Sequence, residues 1–277
     1  MKKMSIIVAA LCAMFFANVT SSSFAEEEKG SGVSFSVGYK AWLNTWLTSY
    51  TKNVSQSGAN ITTITSDGVV ASIPTISLKI ENFFISGSYF LSTAYNFPAY
   101  TETIQNVSGA PSTSTAYTLK TEASAKRNEL DLNIGYYFHP AVAVTVGYKQ
   151  VGQEYTTKAS GTGLVTTTSQ STTTYTGPTI GIMGIAPIGG GFMVYGNGAY
   201  GIMKAKYTGS SDQDNASYGS SELGFMYRPA DWIMFNLGYK YQYINTDVTT
   251  NNPSYSGYNK LAPDVTQGYI LGANLIF

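Results

Sequence analysis

The chain ends in VTQGYILGANLIF, Val265 to Phe277, and this stretch decides the fold. Gln267, Tyr269, Leu271, Ala273, Leu275 and Phe277 form one mostly apolar set, whereas Gly268, Gly272 and Asn274 between them are small or polar. Alternation with period two predicts a strand with one face toward hydrocarbon and the other toward a crowded polar interior. A strand at the very end of a chain leaves a ladder of unused hydrogen-bonding groups unless another strand closes over it. The natural partner is the first strand, so the pattern predicts a closed sheet.

That first strand, Val33 to Thr48, alternates most clearly. Val33, Phe35, Val37, Tyr39, Ala41 and Leu43 are expected to face outward, and Ser34, Ser36, Gly38, Lys40, Trp42 and Asn44 inward. The same reading gives strands at about Val69 to Ile80, Phe83 to Ala94, Ala125 to Phe138, Ala141 to Thr156, Tyr175 to Ala186, Phe192 to Tyr207, Ala216 to Tyr227 and Trp232 to Asn245. With the closing strand these make ten. Short connections at Glu81-Asn82, His139-Pro140, Gly189 to Gly191 and Arg228 to Asp231 alternate with longer ones. The longer ones are Tyr50 to Gly68, Tyr95 to Glu122, Thr157 to Thr174, Thr208 to Asn215 and Thr246 to Asp264. Such alternation is the asymmetry of outer-membrane barrels, with both termini at the short-turn end. Pro74 and Pro178 fall inside expected strands, where each removes a ladder hydrogen bond. Merging or splitting one pair there gives eight or twelve strands.

At the carboxyl terminus the chain resembles the Gram-negative outer-membrane β-barrel proteins, whose final strand carries an assembly signal ending in an aromatic residue. Gly272, Leu275 and Phe277 match that signal, and Ile270 stands where a polar residue is usual. The resemblance covers the mature chain as architecture, with no closer family assigned. It implies an all-β, closed antiparallel up-and-down transmembrane barrel in the outer membrane, with both termini periplasmic. Outer-membrane lipids, lipopolysaccharide and the barrel-assembly machinery are the partners it implies.

The amino-terminal segment is consistent with that destination. Lys2 and Lys3 precede an apolar run from Ile6 to about Ala17, and Ser23-Phe24-Ala25 offers small residues at the positions a signal peptidase reads. Residues 1–25 are therefore expected to be a signal peptide for Sec-dependent secretion, and residues 26–277 the barrel. The run is too short to anchor the chain as a helix, and little apolar sequence precedes Cys12, as a lipoprotein signal would require. With Cys12 removed no cysteine remains, which excludes disulfides and cysteine-based metal sites. Loss of the two lysines leaves 14 basic against 16 acidic residues, a net charge of −2 that gives no nucleic-acid footprint. Tyrosine at 22 residues, glycine at 28 and only 12% charged residues suit a membrane barrel with aromatic girdles.

The search for catalytic chemistry is a search for histidine. The outer-membrane lipid A deacylases, palmitoyl transferases, phospholipases and omptin proteases use one near the outer leaflet. The sole histidine here is His139, in a short turn at the opposite end. No enzyme and no cofactor is expected. The segment Asp212-Gln213-Asp214-Asn215 has oxygen ligands but is too short for a calcium loop, and reads as a solvated loop.

Charge placement gives the sharpest expectation. Gly-Tyr-Lys occurs at Gly38-Tyr39-Lys40, Gly147-Tyr148-Lys149 and Gly238-Tyr239-Lys240. Each lysine rises about seven to nine residues above a short turn, within the depth of a spanning strand, where a lipid-facing charge is costly. All three must point inward. A turn centred on Pro140 sets Asp131 opposite Lys149, and one centred near Asp231 sets Glu222 opposite Lys240. Two cross-strand ion pairs joined by Arg127, Glu129 and Lys40 are expected to plug the lumen. A barrel of about ten strands lies near the size that side chains fill. The expected function is a structural or surface-interaction scaffold with long external loops, and the alternative is a narrow porin-like channel for small solutes.

Overall fold

A computed structural model describes residues 32–52, 60–104, 117–161, 164–211, 213–247 and 263–277. The expected signal peptide, Cys12 and Asp212 lie outside the described residues. All described elements are strands: β1 (Val33–Lys52), β2 (Asn60–Thr65), β3 (Val69–Ile80), β4 (Phe83–Ile104), β5 (Tyr117–His139), β6 (Val142–Gly161), β7 (Leu164–Gly189), β8 (Phe192–Tyr207), β9 (Gln213–Ala230), β10 (Ile233–Asp247) and β11 (Asp264–Ile276). All pairing is antiparallel and joins neighbours in the order β1, β3, β4 and onward to β11, with β2 paired to β1 alone, and β11 pairs with β1 from Ser36↔Ile276 to Leu47↔Val265. The closure is completed by Phe277, whose N–H donates to the Phe35 carbonyl at 2.7 Å and whose carbonyl accepts from the Phe35 N–H at 3.0 Å.

The eleven strands make ten staves. Strand β1 pairs with β3 along its lower half, Val33 to Asn44, and with β2 along its upper half, Leu47 to Lys52, so β2 and β3 are one stave interrupted at Ser66 to Gly68. The interruption stays bonded: the Ser66 N–H donates to the Trp46 carbonyl at 2.8 Å, and the Trp46 N–H donates to Ser66 Oγ at 3.0 Å. The fold is a closed, ten-stave, up-and-down antiparallel barrel.

Three of the expected long loops are strand over much of their length. The second stave begins at Asn60, β4 and β5 extend to Ile104 and from Tyr117, and β6 and β7 run to Gly161 and from Leu164. These segments are rich in Ser and Thr and carry no apolar alternation because water lies on their outer side. They nevertheless continue the ladders set below them: β6 and β7 pair without a register break from Val142↔Gly184 to Ala159↔Thr167. The part of β5 above the apolar band, Tyr117 to Glu129, lifts the wall roughly 30 Å further, at about 3.3 Å per residue and a tilt of about 40°.

Outside, the lower staves carry a band of exposed Val, Ile, Leu and Phe, including Val37, Ile76, Ile134, Val146, Ile182 and Leu271. Aromatic pairs border it at the short-turn end, Phe83 against Tyr136 at 4.8 Å and Phe192 against Tyr227 at 4.4 Å between ring centres. Exposed Tyr39, Tyr89, Tyr148, Tyr200, Tyr239 and Tyr269 border it above. Two aromatic girdles around an apolar band are what a bilayer selects on a barrel exterior. The repeated Gly-Tyr-Lys now has a structural meaning. Its tyrosine belongs to the upper girdle and its lysine to the lumen. Its glycine leaves room inside for a neighbour's polar side chain: Asn274 at Gly38, Asn133 at Gly147 and Tyr195 at Gly238.

The prolines neither remove nor add a stave, but each opens a ladder. Beside Pro178, β7 and β8 skip from Thr176↔Lys204 to Thr179↔Gly201 in unchanged register. The lapse at Pro74 is longer. Strand β3 pairs with β4 only from Thr75↔Ser88 to Ile80↔Phe83, and no pair forms between residues 69–74 and 89–94. Above it the Asp67 N–H donates to the Asn96 carbonyl at 3.0 Å, and β2 pairs with β1 but not with β4. Opposite this seam β4 bulges between Phe90 and Thr93, and the Thr93 hydroxyl donates to the Leu91 carbonyl at 2.8 Å. The bulge also reverses the inward face of β4, from Phe84 and Phe90 below to Tyr95 and Phe97 above.

Candidate functional site

The candidate site is the lumen at the level of the upper tyrosine girdle. Register puts Asp131 opposite Lys149 and Glu222 opposite Lys240. Inward-facing charges there share a confined, poorly hydrated space, so their side chains seek partners across the barrel as well as on the adjacent strand.

Glu129 is the hub of the layer. It is 3% exposed, and its Oε1 lies 2.7 Å from Arg127 Nη2 and accepts from Arg127 Nε at 2.8 Å and from Gln242 Nε2 at 2.8 Å. Its Oε2 lies 2.8 Å from Lys149 Nζ. Lys149 also reaches Asp131 Oδ2 at 3.2 Å, and Asp131 accepts from Asn133 Nδ2 at 2.8 Å. Arg127 donates from Nη1 to Thr266 Oγ1 at 2.7 Å, and its guanidinium lies 5.4 Å from the Trp46 ring centre. Thus β5, β6, β10 and β11 are tied together across the lumen.

A second group forms around Glu222, whose Oε1 accepts from the Tyr195 hydroxyl at 2.8 Å and lies 3.4 Å from Lys40 Nζ. Here the structure corrects the expected Glu222–Lys240 ion pair. The two are in register, but Glu222 is taken by Lys40 and Tyr195, while the Lys240 ammonium lies 4.9 Å from the centre of the Trp42 ring. The lysine stem is long enough to choose an aromatic face over a carboxylate that already has two partners.

Above the charges lies an aromatic layer. Trp46 packs against Tyr95 and Tyr155, each at 5.2 Å, and against Phe97 at 5.8 Å. Tyr95 donates to Asn44 Oδ1 at 2.8 Å, and Thr48 donates to Asp264. Val151, Tyr175, Met203, Tyr218 and Ile244 fill the opposite side. Trp42, Trp46, Tyr95, Gln242 and Thr266 have no exposed surface. Sequence reasoning assigned none of these five to the site. Their signal was present as inward positions on alternating strands, but alternation gives no contact across the lumen.

Below the charges the barrel holds a cavity of about 580 Å³. It reaches the short-turn rim at Ser34, Lys79 and Arg228, and Lys40, Asp131, Tyr195, Glu222, Asn236 and Lys240 line its inner end. Gly272 is part of this arrangement. A Cβ there would stand 2.4 Å from Asn236 Oδ1 and 2.9 Å from Lys40 Cγ, so the glycine lets these two side chains converge. Leu275 lies outside on the apolar band, and Phe277 packs its ring 6.2 Å from Phe35 at the lower border. Ile270, by contrast, is buried inside beside Trp42 and Ile73.

His139 caps its own turn, its Nδ1 accepting from the Ala141 N–H at 3.1 Å. Asp214 accepts from the Tyr207 hydroxyl at 3.0 Å. Among the described residues no three His, Cys, Asp or Glu side chains converge as a metal site.

No family model and no curated relative matches the chain. Among solved structures, the outer membrane protease OmpT from Escherichia coli is similar over 88% of this chain and 96% of its own, at 14% identity and a TM-score of 0.50. The translocator domain of the autotransporter NalP from Neisseria meningitidis matches 97% of this chain and 96% of its own, at 14% identity and a TM-score of 0.38. The attachment invasion locus protein Ail from Yersinia pestis covers 88% and 97%, at 9% identity and a TM-score of 0.33. The likeness to OmpT is one of fold. The chain has the closed up-and-down β-barrel fold of Gram-negative outer-membrane proteins.

Proposed function

We propose that the protein is a small integral outer-membrane barrel that acts as a non-catalytic, surface-presenting scaffold, its lumen closed at the level of the upper girdle. The observation that carries this reading is the stacked layer of Arg127, Glu129, Lys149 and Gln242 beneath Trp46, Tyr95 and Tyr155. These side chains are bonded or packed to one another across the barrel. A solute crossing the lumen would have to break buried ion pairs and displace fully buried aromatic rings.

The outer surface supports the rest. An apolar band between aromatic girdles suits a bilayer, and the short turns and both ends of the barrel sheet lie at one end, which we assign to the periplasm. Above the band the wall exposes Lys126, Lys204 and Lys206, suited to the phosphates of lipopolysaccharide, and beyond them the Ser- and Thr-rich tops of β6 and β7. Phe277, closing the barrel against Phe35, is the element that the assembly machinery would read. The sequence has a single histidine, which caps a turn at the short-turn end, and this supports a non-catalytic role.

Planar-bilayer recording of the refolded protein tests the proposal. The expected result is no steady conductance in the wild type and its appearance when Arg127 and Trp46 are both replaced by alanine. A steady open conductance in the wild type would reject the closed lumen in favour of the narrow channel.

A further inference from the structure

The cavity beneath the charge layer has an imbalance that the plug does not explain. Its charged lining is Lys40, Lys79, Arg228 and Lys240 against Asp131 and Glu222, with Arg228 paired at the rim to Asp231 at 3.5 Å. Both carboxylates are engaged, Asp131 by Lys149 and Asn133, and Glu222 by Lys40 and Tyr195. Among the described residues the Lys240 ammonium has no carboxylate within 4.0 Å; its nearest partner is the face of Trp42 at 4.9 Å, and Glu222, Glu129 and Asp131 act on it only at longer range, against the like charges of Lys40 and Lys149. An ammonium whose nearest partner is an aromatic face, with every carboxylate beyond ion-pair distance, is incompletely compensated, because a ring quadrupole replaces only part of the lost hydration. An anion would complete it.

A second imbalance lies beside it. Asn236 is 5% exposed, its Nδ2 stands 3.5 Å from the Tyr195 hydroxyl, and its Oδ1 has no donor among the described residues. A buried carbonyl oxygen without a donor is costly. It lies on the cavity wall, against the stem of Lys40 across Gly272. A hydroxyl group on the same ligand would satisfy it. The charge layer stands over the inner end of the cavity, so a ligand enters and leaves at the short-turn rim, past Lys79 and the Arg228–Asp231 pair.

We propose that this cup binds a small anion bearing hydroxyl groups, of the class of polyol phosphates and hydroxycarboxylates. Lys240 and Lys40 hold its charge, and Asn236 accepts from a hydroxyl. The reading goes beyond the scaffold role and does not depend on it, since an anion could lodge here even if the layer above were to conduct.

The test is isothermal titration calorimetry of the refolded protein in a non-ionic detergent, with glycerol 3-phosphate, inorganic phosphate and glycerol as probes. Glycerol 3-phosphate is expected to bind at one site, inorganic phosphate about tenfold more weakly for want of one hydrogen bond, and glycerol not measurably. Lys240→Met should weaken glycerol 3-phosphate at least about tenfold, and Lys240→Arg should retain it. Asn236→Ala should bring the two phosphates to equal affinity. Asn236→Asp, which places a negative charge against the ligand, should abolish both and serves as the decisive variant if Lys240→Met does not refold. Folding of each variant is checked by mobility on unheated gels. No heat with either anion, equal binding of glycerol, or unchanged affinity in Lys240→Met or Asn236→Asp would overturn the proposal. A conducting wild type in planar bilayers would reject the closed lumen and leave these titrations as evidence about the cup.

Discussion

Replacing Glu129 by leucine should be the most damaging single change in the charge layer. The carboxylate is 3% exposed and serves three donors, Arg127, Lys149 and Gln242, all within 2.8 Å. Its removal leaves Arg127 with the Thr266 hydroxyl and the face of Trp46, while Lys149 keeps Asp131 at 3.2 Å. One cation is therefore stranded and one only weakened. Stranding a buried charge costs about 3–5 kcal/mol, and loss of one of two partners by Lys149 adds about 1 kcal/mol. The expected total is about 4–6 kcal/mol. Asp131→Leu should cost only about 1 kcal/mol, because the Asp131 side chain is 27% exposed and Lys149 retains the closer carboxylate. Removing Arg127 together with Glu129, as Glu129→Leu with Arg127→Met, should recover about 2 kcal/mol relative to the sum of the single changes, since the stranded cation is then absent. Equilibrium denaturant unfolding of the barrel in lipid vesicles, followed by tryptophan fluorescence, measures the wild type, the three single variants, Arg127→Met included, and the double variant. If Glu129→Leu falls within about 0.5 kcal/mol of Asp131→Leu, or the double variant is simply additive, the layer is not a coupled network and the reasoning fails.

Three further outcomes follow from the wall itself. Deleting Phe277 removes both closing hydrogen bonds to Phe35, so the fraction migrating as folded barrel on unheated gels should fall well below wild type; undiminished assembly would contradict the closing role. Gly272→Ala should destabilise the barrel by about 1–3 kcal/mol, because the new methyl group lies 2.4 Å from Asn236 Oδ1 and 2.9 Å from Lys40 Cγ, and an unchanged denaturation midpoint would show that the cup can relax. At the seam, amide hydrogens of residues 69–73 and 89–94 should exchange measurably faster than those of β6 and β7 at the same height, whereas uniform protection would mean that the ladder beside Pro74 is closed in solution.

The architecture was legible because a membrane barrel writes it in period two. Val33 to Thr48 and Val265 to Phe277 carry their inward and outward faces in plain alternation, and the alternation of short and long connections gives the stave count. Above the upper tyrosines the signal disappears. Both faces of a segment such as TTTSQS, Thr166 to Ser171, are exposed, so a strand there reads as a loop although its ladder continues from below. Pro74 was legible as a defect but not as a seam. A proline removes one donor, and the length of the lapse depends on the bulge between Phe90 and Thr93, which the sequence does not announce.

The candidate site was legible to the level of a row and no further, and the reason is geometric. Turn positions fix which Cα faces which, so the opposition of Asp131 to Lys149 and of Glu222 to Lys240 follows from counting alone. Ion pairs are made by side-chain ends, and a lysine or arginine can place its charge several ångströms from its own Cα. In an open sheet that freedom is spent in water and the facing residue is a fair guess. In a closed lumen every inward side chain converges on the same axis, and residues remote along the sheet compete for each carboxylate. Lys149 accordingly takes Glu129 at 2.8 Å in preference to Asp131 at 3.2 Å, and Lys40 reaches from β1 to claim Glu222 on β9. Lys240, displaced from its register partner, turns to Trp42. The same convergence that ties the charge layer together above thus leaves one cation facing the cup below, so the proposed binding site arises from the competition for carboxylates in that layer.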